Sequence, residues 1–374
     1  MAPVRRYSRS RRFLLAGAAA GLFSGAYAQS PPRSGLSRIA ARQGILFGAA
    51  IEPDSVERDT AFAALLAREC ASLTAENHMK WNLLRPGPGL FDFDGADRVV
   101  AIARRQGAMV HGHCLVWHEA NPAWLIRELK TGNAQALLEG HIGPVVGRYA
   151  GLIRSWDVVN EAIERDDRRP DGLRKSLWLN VLGPDYIPLA FEAAHRADPG
   201  ARLLLSDYGL EYDDEPWMVE KRGTLLEQLA GWKRSGVPIH ALGIQGHLIG
   251  HRPASFGPAL RRFLRDVSSL GLGIDITEMD VNDQKVPGSA ADRDRIVAQH
   301  YRAFLQVALS EPAVRTVTTW GLSDRYTSKS SMSARSDGAG VRPLPFDQSL
   351  QPKQAWFAMA DTFAQRQNPS QTPN

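Results

Sequence analysis

Eight short apolar runs with amphipathic stretches between them, spread over 374 residues, predict an α/β fold: a single closed (β/α)8 TIM barrel. Three observations carry that expectation. Each run begins apolar and finishes polar. Their starts recur every 26 to 48 residues, which leaves room for one helix and its loops in each interval. No run leads into a G-x-G-x-x-G turn or a P-loop, which counts against an open, doubly wound sheet.

In chain order the strands are expected at 45–52 (ILFGAAIE), 71–77 (ASLTAEN), 108–117 (AMVHGHCLVW), 153–162 (IRSWDVVNEA), 201–209 (ARLLLSDYG), 241–248 (ALGIQGHL), 272–281 (LGIDITEMDV) and 314–324 (VRTVTTWGLSD). Near-continuous apolar content of this kind suits strands buried on both faces of a parallel sheet. Between them, GADRVVAIARRQG places Val99, Ile102 and Ala103 on one helical face and stops at Gly107. YIPLAFEAAHRADPG closes at Pro199-Gly200, and RDRIVAQHYRAFLQVALSEP closes before Pro312.

The flanks are of a different kind. Residues 1–28 join an Arg-rich start to an apolar stretch too short to span a bilayer, and end on Ala26-Tyr27-Ala28 before Gln29, the layout of a signal peptide. Ser10-Arg11-Arg12-Phe13-Leu14-Leu15 is similar to the twin-arginine export signal. An exported protein, periplasmic or secreted, is therefore expected. Residues 29–43 read as a linker, 44–364 as the barrel and 365–374 as a polar, frayed tail.

Removing the signal removes five arginines and no acids, leaving 40 basic against 40 acidic residues, so the formal charge of +5 is no sign of a nucleic-acid partner. No membrane partner is expected once the signal is gone, and a monomer is expected. Cys70 and Cys114 are too few for a disulfide framework and sit in apolar surroundings, where buried thiols are expected.

The polar strand ends are Glu76-Asn77, His113 with Trp117-His118, Asn160-Glu161, Asp207-Tyr208, Gln245 with His247, Glu278 with Asp280, and Trp320 with Asp324. In a parallel barrel these ends share one face, the face that carries such barrels' chemistry. Glu161 and Glu278, on the fourth and seventh runs, are the acids best placed for reaction. Two carboxylates across a cleft suffice for glycoside cleavage, one protonating the leaving oxygen while the other attacks the sugar carbon, with no metal or cofactor. Asp280 can face the same side as Glu278 two residues away, and His247 on the neighbouring strand can bond Glu278 while Asp280 orients it. Trp81, Trp117, Tyr208, Trp320 and Tyr326 fall where a flat ring could stack on a sugar, whereas Trp156, Trp178 and Trp356 read as core.

These residues resemble glycoside hydrolase family 10, the retaining endo-β-1,4-xylanases. WDVVNEA resembles the family's acid/base segment and DITEMDV its nucleophile segment. ENHMKW, HGHCLVWH, SDYGLEY, GIQGHL and WGLSDRY resemble its substrate-binding strand ends, in the same order, from about Gly44 to Met359. The resemblance implies Glu161 as general acid/base and Glu278 as nucleophile, with Asn160 on the sugar 2-hydroxyl and His247 and Asp280 supporting Glu278. It further implies that Glu76, Asn77, Lys80, His113, Trp117, Gln245 and Trp320 line the glycone side for a xylan or xylo-oligosaccharide, with Tyr208 toward the aglycone. Two departures stand out. Ser206 and Gly209 replace the two asparagines of the family's Asn-Asp-Tyr-Asn, and Ser328 stands where a second tryptophan lids the site.

Other readings remain open at this point. His111-Gly112-His113, with His195, His247 and Asp324, could be ligands of a metal-dependent amidohydrolase. A polysaccharide-binding barrel without chemistry would keep the aromatic cleft but has no need of two strand-end acids. A cellulase or mannanase would share the barrel and differ in substrate.

Overall fold

The computed structural model describes residues 35–130 and 132–366, so the expected signal peptide and most of the expected tail lie outside the described residues. The strands are Leu46–Ile51 (β1), Ser72–Ala75 (β2), Met109–Gly112 (β3), Ser155–Asn160 (β4), Arg202–Asp207 (β5), Ala241–Ile244 (β6), His247–Ile249 (β7), Gly273–Asn282 (β8) and Val314–Thr319 (β9). Each pairs in parallel with its neighbour. β6 pairs directly with β8 and β9 returns to β1, so eight strands close into a barrel with helices in the connections. No helix among the described residues is long and apolar enough to cross a membrane.

All eight expected strands exist, and the sixth differs in form. It is broken at Gln245-Gly246 into β6 and the short β7, which pairs with the outer half of β8. Gly246 takes φ +78, a left-handed turn that costs glycine little, and its N–H donates to the buried Glu211 carboxylate at 3.0 Å. The break turns the chain at the barrel mouth, where Gln245 joins the cleft wall.

The expected linker at 29–43 also needs correction. Leu36–Ala41 is a helix; Leu36 and Ala40 are fully buried, and the Leu36 N–H donates to the buried Glu69 carboxylate at 2.9 Å. Its apolar residues pack against the C-terminal helix Gln354–Gln365, a long-range contact that a six-residue segment does not advertise by periodicity. The expected helices appear at Asp94–Gln106, Tyr186–Ala197 and Ala290–Ala308. The last starts with a capping box in which Ser289 and Asp292 satisfy each other's backbone N–H groups.

The hydrophobic core takes Phe47, Leu73, Trp156, Val158, Leu203, Leu205, Ile274 and Ile276 from the strands, all fully buried, together with the inner faces of the helices. The side chains that end each strand lie at the mouth. Glu278 and Asp280 share one parity of β8, while Met279 between them is fully buried on the other.

Candidate active site

A cleft of about 520 Å³ opens over the C-terminal ends of the strands. It is lined by Glu76, Asn77, Lys80, His113, Trp117, Asn160, Glu161, Tyr208, Gln245, His247, Glu278 and Trp320. Asp280 alone of the expected site residues stands behind it, fully buried against His247.

Glu161 follows the last residue of β4 in a left-handed conformation, φ +58, which is unusual for a residue with a side chain. Two backbone contacts hold it there. Its N–H donates to the Ser206 carbonyl at 2.7 Å, and its carbonyl accepts from Arg174 Nε at 2.8 Å. The side chain then reaches the cleft, where Oε1 accepts from Gln245 Nε2 at 3.0 Å and Oε2 lies 3.6 Å from His118 Nδ1. Arg174 Nη2 also donates to the Tyr208 hydroxyl at 2.9 Å, and that hydroxyl donates to Glu164 at 2.9 Å. Lys221, buried against Asp207 at 2.7 Å, sits 3.7 Å from the centre of the Tyr208 ring and fixes it from behind.

Glu278 is 5% exposed, and its two oxygens differ. Oε2 lies 3.4 Å from His247 Nε2, whereas Oε1 has no hydrogen-bond donor among the described residues and lies 3.9 Å from His113 Nδ1. A buried carboxylate oxygen without a donor is costly. His247 is held from its other side, Nδ1 to Asp280 Oδ1 at 3.0 Å, and Asp280 Oδ2 in turn meets Lys329 Nζ at 3.3 Å. Burial alone would disfavour the imidazolium, but the Asp280 charge and the bonds to Asp280 and Glu278 outweigh it and push His247 up to about 10, against the smaller opposing effect of Lys329. The ring therefore stays charged at neutral pH. The stability it contributes is present below its ordinary 6.5 and is lost as pH rises through about 10.

His111 Nε2 and His113 Nδ1 both bond the same Asp157 oxygen, at 2.8 and 2.9 Å. Burial would raise Asp157, yet the two histidines hold it well below the usual carboxylate range. The H-x-H pair thus orients His113, which also meets the Trp320 ring edge-on at 5.1 Å. His113, Asp157 and Glu278 do come close enough to surround an ion. The amidohydrolase ligand set, however, is not assembled: His195 packs near His240, His247 serves Glu278, and Asp324 pairs with Lys353 at 2.8 Å.

Across the mouth, Lys80 Nζ donates to Asn77 Oδ1 at 2.9 Å and lies over the Trp117 ring, while Asn77 Nδ2 donates to Glu52 at 2.6 Å. Glu76 is pushed up to about 7, first by burial and then by the charges of Glu52 and Glu278, against the hydrogen bond from Ser328 and the charge of Lys80. A carboxyl raised on folding binds its proton more tightly in the native state, so stability falls between about pH 4.5 and 7. Glu76→Gln is expected to raise stability at pH 8 by up to about 3 kcal/mol and to leave it unchanged at pH 4. Thermal melts at the two pH values check this, and an equal shift at both would contradict it.

The model of glycosyl hydrolase family 10 matches residues 35–362. The chain belongs to that family. It is 37% identical over 305 residues to "Beta-1,4-xylanase" of Dictyoglomus thermophilum, covering 78% of this chain and 82% of that protein. It is 33% identical over 323 residues to "Endo-1,4-beta-xylanase B" of Paenibacillus barcinonensis, covering 83% and 93%. Among solved structures, native xylanase 10B from Thermotoga maritima superposes with a TM-score of 0.77 at 30% identity, over 88% of this chain and 98% of that one.

Against the family 10 pattern, Ser206 is fully buried and bonds Thr277 between β5 and β8 at 3.2 Å, so its side chain is absent from the cleft wall. Ser328 and Met332 stand in the wall where the second tryptophan was expected, with Lys329 between them bonded to Asp280. Two of the aromatic expectations fail. Trp81 is buried and stacks on His141 at 3.7 Å, and Tyr326 packs on Phe62 and donates its hydroxyl to Asp59 at 2.8 Å. Both rings follow strand ends, but the helices beside them cover them. Arg174, Glu211, Trp217 and Lys329 were not marked by the residue pattern, because they lie in loops or at helix starts rather than on strand ends.

Proposed function

We propose that this family 10 glycosyl hydrolase is an endo-β-1,4-xylanase that cleaves internal xylosidic bonds with retention, Glu161 acting as general acid/base and Glu278 as nucleophile. The xylanase names of its relatives support the substrate. The observation that carries the roles is the asymmetry at Glu278, one oxygen 3.4 Å from His247 and the other buried without a donor.

In the first step Glu161 gives its proton to the glycosidic oxygen while Glu278 Oε1 attacks the anomeric carbon. The carbon–oxygen bond breaks, the aglycone leaves with the proton, and a glycosyl ester on Glu278 remains. In the second step the Glu161 carboxylate takes a proton from water, the water oxygen attacks the same carbon, and Glu278 departs as carboxylate. The imidazolium of His247 holds Oε2 throughout and stabilises the negative charge that Glu278 carries before attack and regains on departure. Asn160, beside Glu161, is placed to bond the sugar's 2-hydroxyl, and Glu76, Asn77 and Lys80 to bond hydroxyls further along the glycone.

Retention is tested by following xylo-oligosaccharide hydrolysis by NMR: the β-anomer is expected first, and an initial α-anomer would count decisively against this mechanism. Chromatography of xylohexaose products should show internal cleavage; release of xylose alone would refute endo action. Export through the twin-arginine route completes the proposal, motivated by Arg11-Arg12 and the Ala26-Tyr27-Ala28 site. The exported protein is expected to begin at Gln29, and an N-terminus retaining residues 1–28 would overturn that.

A further inference from the structure

Trp217 is the second residue of the helix Pro216–Arg234 and lines the cleft beside Tyr208 and Gly209, with 40% of its surface exposed. It comes from the loop after β5. In the closed ring of eight strands, β5 lies across the mouth from β1, which stands between β2 and β9, the strands that lead to Glu76 and Trp320. Trp217 therefore stands on the Tyr208 side of the two glutamates.

Its position depends on its neighbour. Gly209 has φ +69, and a Cβ built there would lie 2.5 Å from the six-membered ring of Trp217, closer than a side chain tolerates. The indole edge thus occupies the space that a side chain at 209 would take. The left-handed backbone by itself would admit asparagine, which is among the few residues that accept it. The ring is what excludes a side chain there.

We propose that Trp217 is a stacking platform for a xylosyl unit on the aglycone side, beyond the unit that meets Tyr208, and that Gly209 is the residue that makes room for it. The ligand class is a β-1,4-linked pentose chain, whose ring presents an apolar face to the indole while its hydroxyls stay in water. This rests on the assignment of Glu161 and Glu278, which defines the aglycone side. A bound sugar at this platform helps set which bond of the chain lies between the two carboxylates. Losing it shifts the chain so that fewer units extend past the cleavage point.

The test compares Trp217→Ala, Trp217→Phe and Gly209→Asn with their parent, each in the full chain. Affinity for xylohexaose is measured by calorimetry in a Glu278→Gln background, and the bond cleaved is located in otherwise unaltered enzyme with reducing-end-labelled xylohexaose. Trp217→Ala is expected to weaken binding about tenfold and to move cleavage toward the reducing end, with Phe restoring part of both. Gly209→Asn, which displaces the ring without removing it, is expected to move both readouts the same way, and it decides the matter if the alanine variant does not fold. Unchanged affinity and an unchanged cleavage site in both variants would overturn the platform. A parent that never cleaves xylohexaose would sink the hydrolase assignment alone, and the affinity comparison would then decide the platform by itself.

Discussion

Glu278→Ala is expected to abolish xylan hydrolysis, a loss of at least about 10⁴-fold in kcat, while the barrel stays folded. The first half follows from the chemistry: without the carboxylate no glycosyl ester can form, and no other described residue of the wall presents a buried oxygen free of donors at that place. The second half follows from the electrostatics. His247 keeps Asp280 at 3.0 Å when Glu278 is removed, so no buried cation is left uncompensated. The deleted carboxyl also leaves a space that a small anion fits. Formate or azide is expected to restore part of the turnover on an activated aryl xyloside, azide giving a product of inverted configuration. Full activity in Glu278→Ala would end the nucleophile assignment; circular dichroism and thermal melts check that any loss is chemical.

Glu161→Ala carries the other large effect, and its signature lies in the leaving group. Proton donation contributes roughly 10²–10⁴-fold, so hydrolysis of xylan, whose leaving group is a sugar alkoxide, is expected to fall by that amount. A dinitrophenyl xylobioside needs no proton to depart, so its first step is expected to be nearly unimpaired. The glycosyl ester then accumulates, because no base is left to activate water, and a burst of dinitrophenol should precede a slow steady state. Added azide attacks without a base and is expected to raise the steady rate with retained configuration. Equal losses on xylan and on the activated substrate would contradict the acid/base role.

Much of the site was legible because a parallel barrel converts a one-dimensional regularity into a three-dimensional one. Once each apolar run ends in a polar residue and all strands point the same way, Glu76, His113, Asn160, Glu161, Tyr208, Gln245, Glu278 and Trp320 must meet at one mouth, and they do. The His247–Asp280 contact was legible for a related reason, since the two-residue period of a strand puts Glu278 and Asp280 on one face and the next strand supplies the histidine.

What was not legible depends on how helices and loops fall over the barrel. Trp81 and Tyr326 have the same local signature as Trp117, yet His141 covers one and Phe62 the other, from segments 60 and more than 260 residues away in sequence. Trp217 has the opposite history: it sits at a helix start, with no strand-end cue, and enters the cleft because residue 209 has no side chain. Arg174 is likewise a loop residue, and only folding shows that it holds the Glu161 carbonyl and the Tyr208 hydroxyl together.

The sequence by itself determined the barrel, the end of it where the polar strand termini gather and the placing of Glu161 and Glu278 there, because strand periodicity and polar termini are local properties that parallel pairing multiplies. Only the tertiary structure decided which oxygen of Glu278 lacks a donor, which aromatic rings face the cleft, and that Glu161 is held in a left-handed turn. Those features arise from contacts between segments far apart in the chain, whose distances and burial no local pattern encodes.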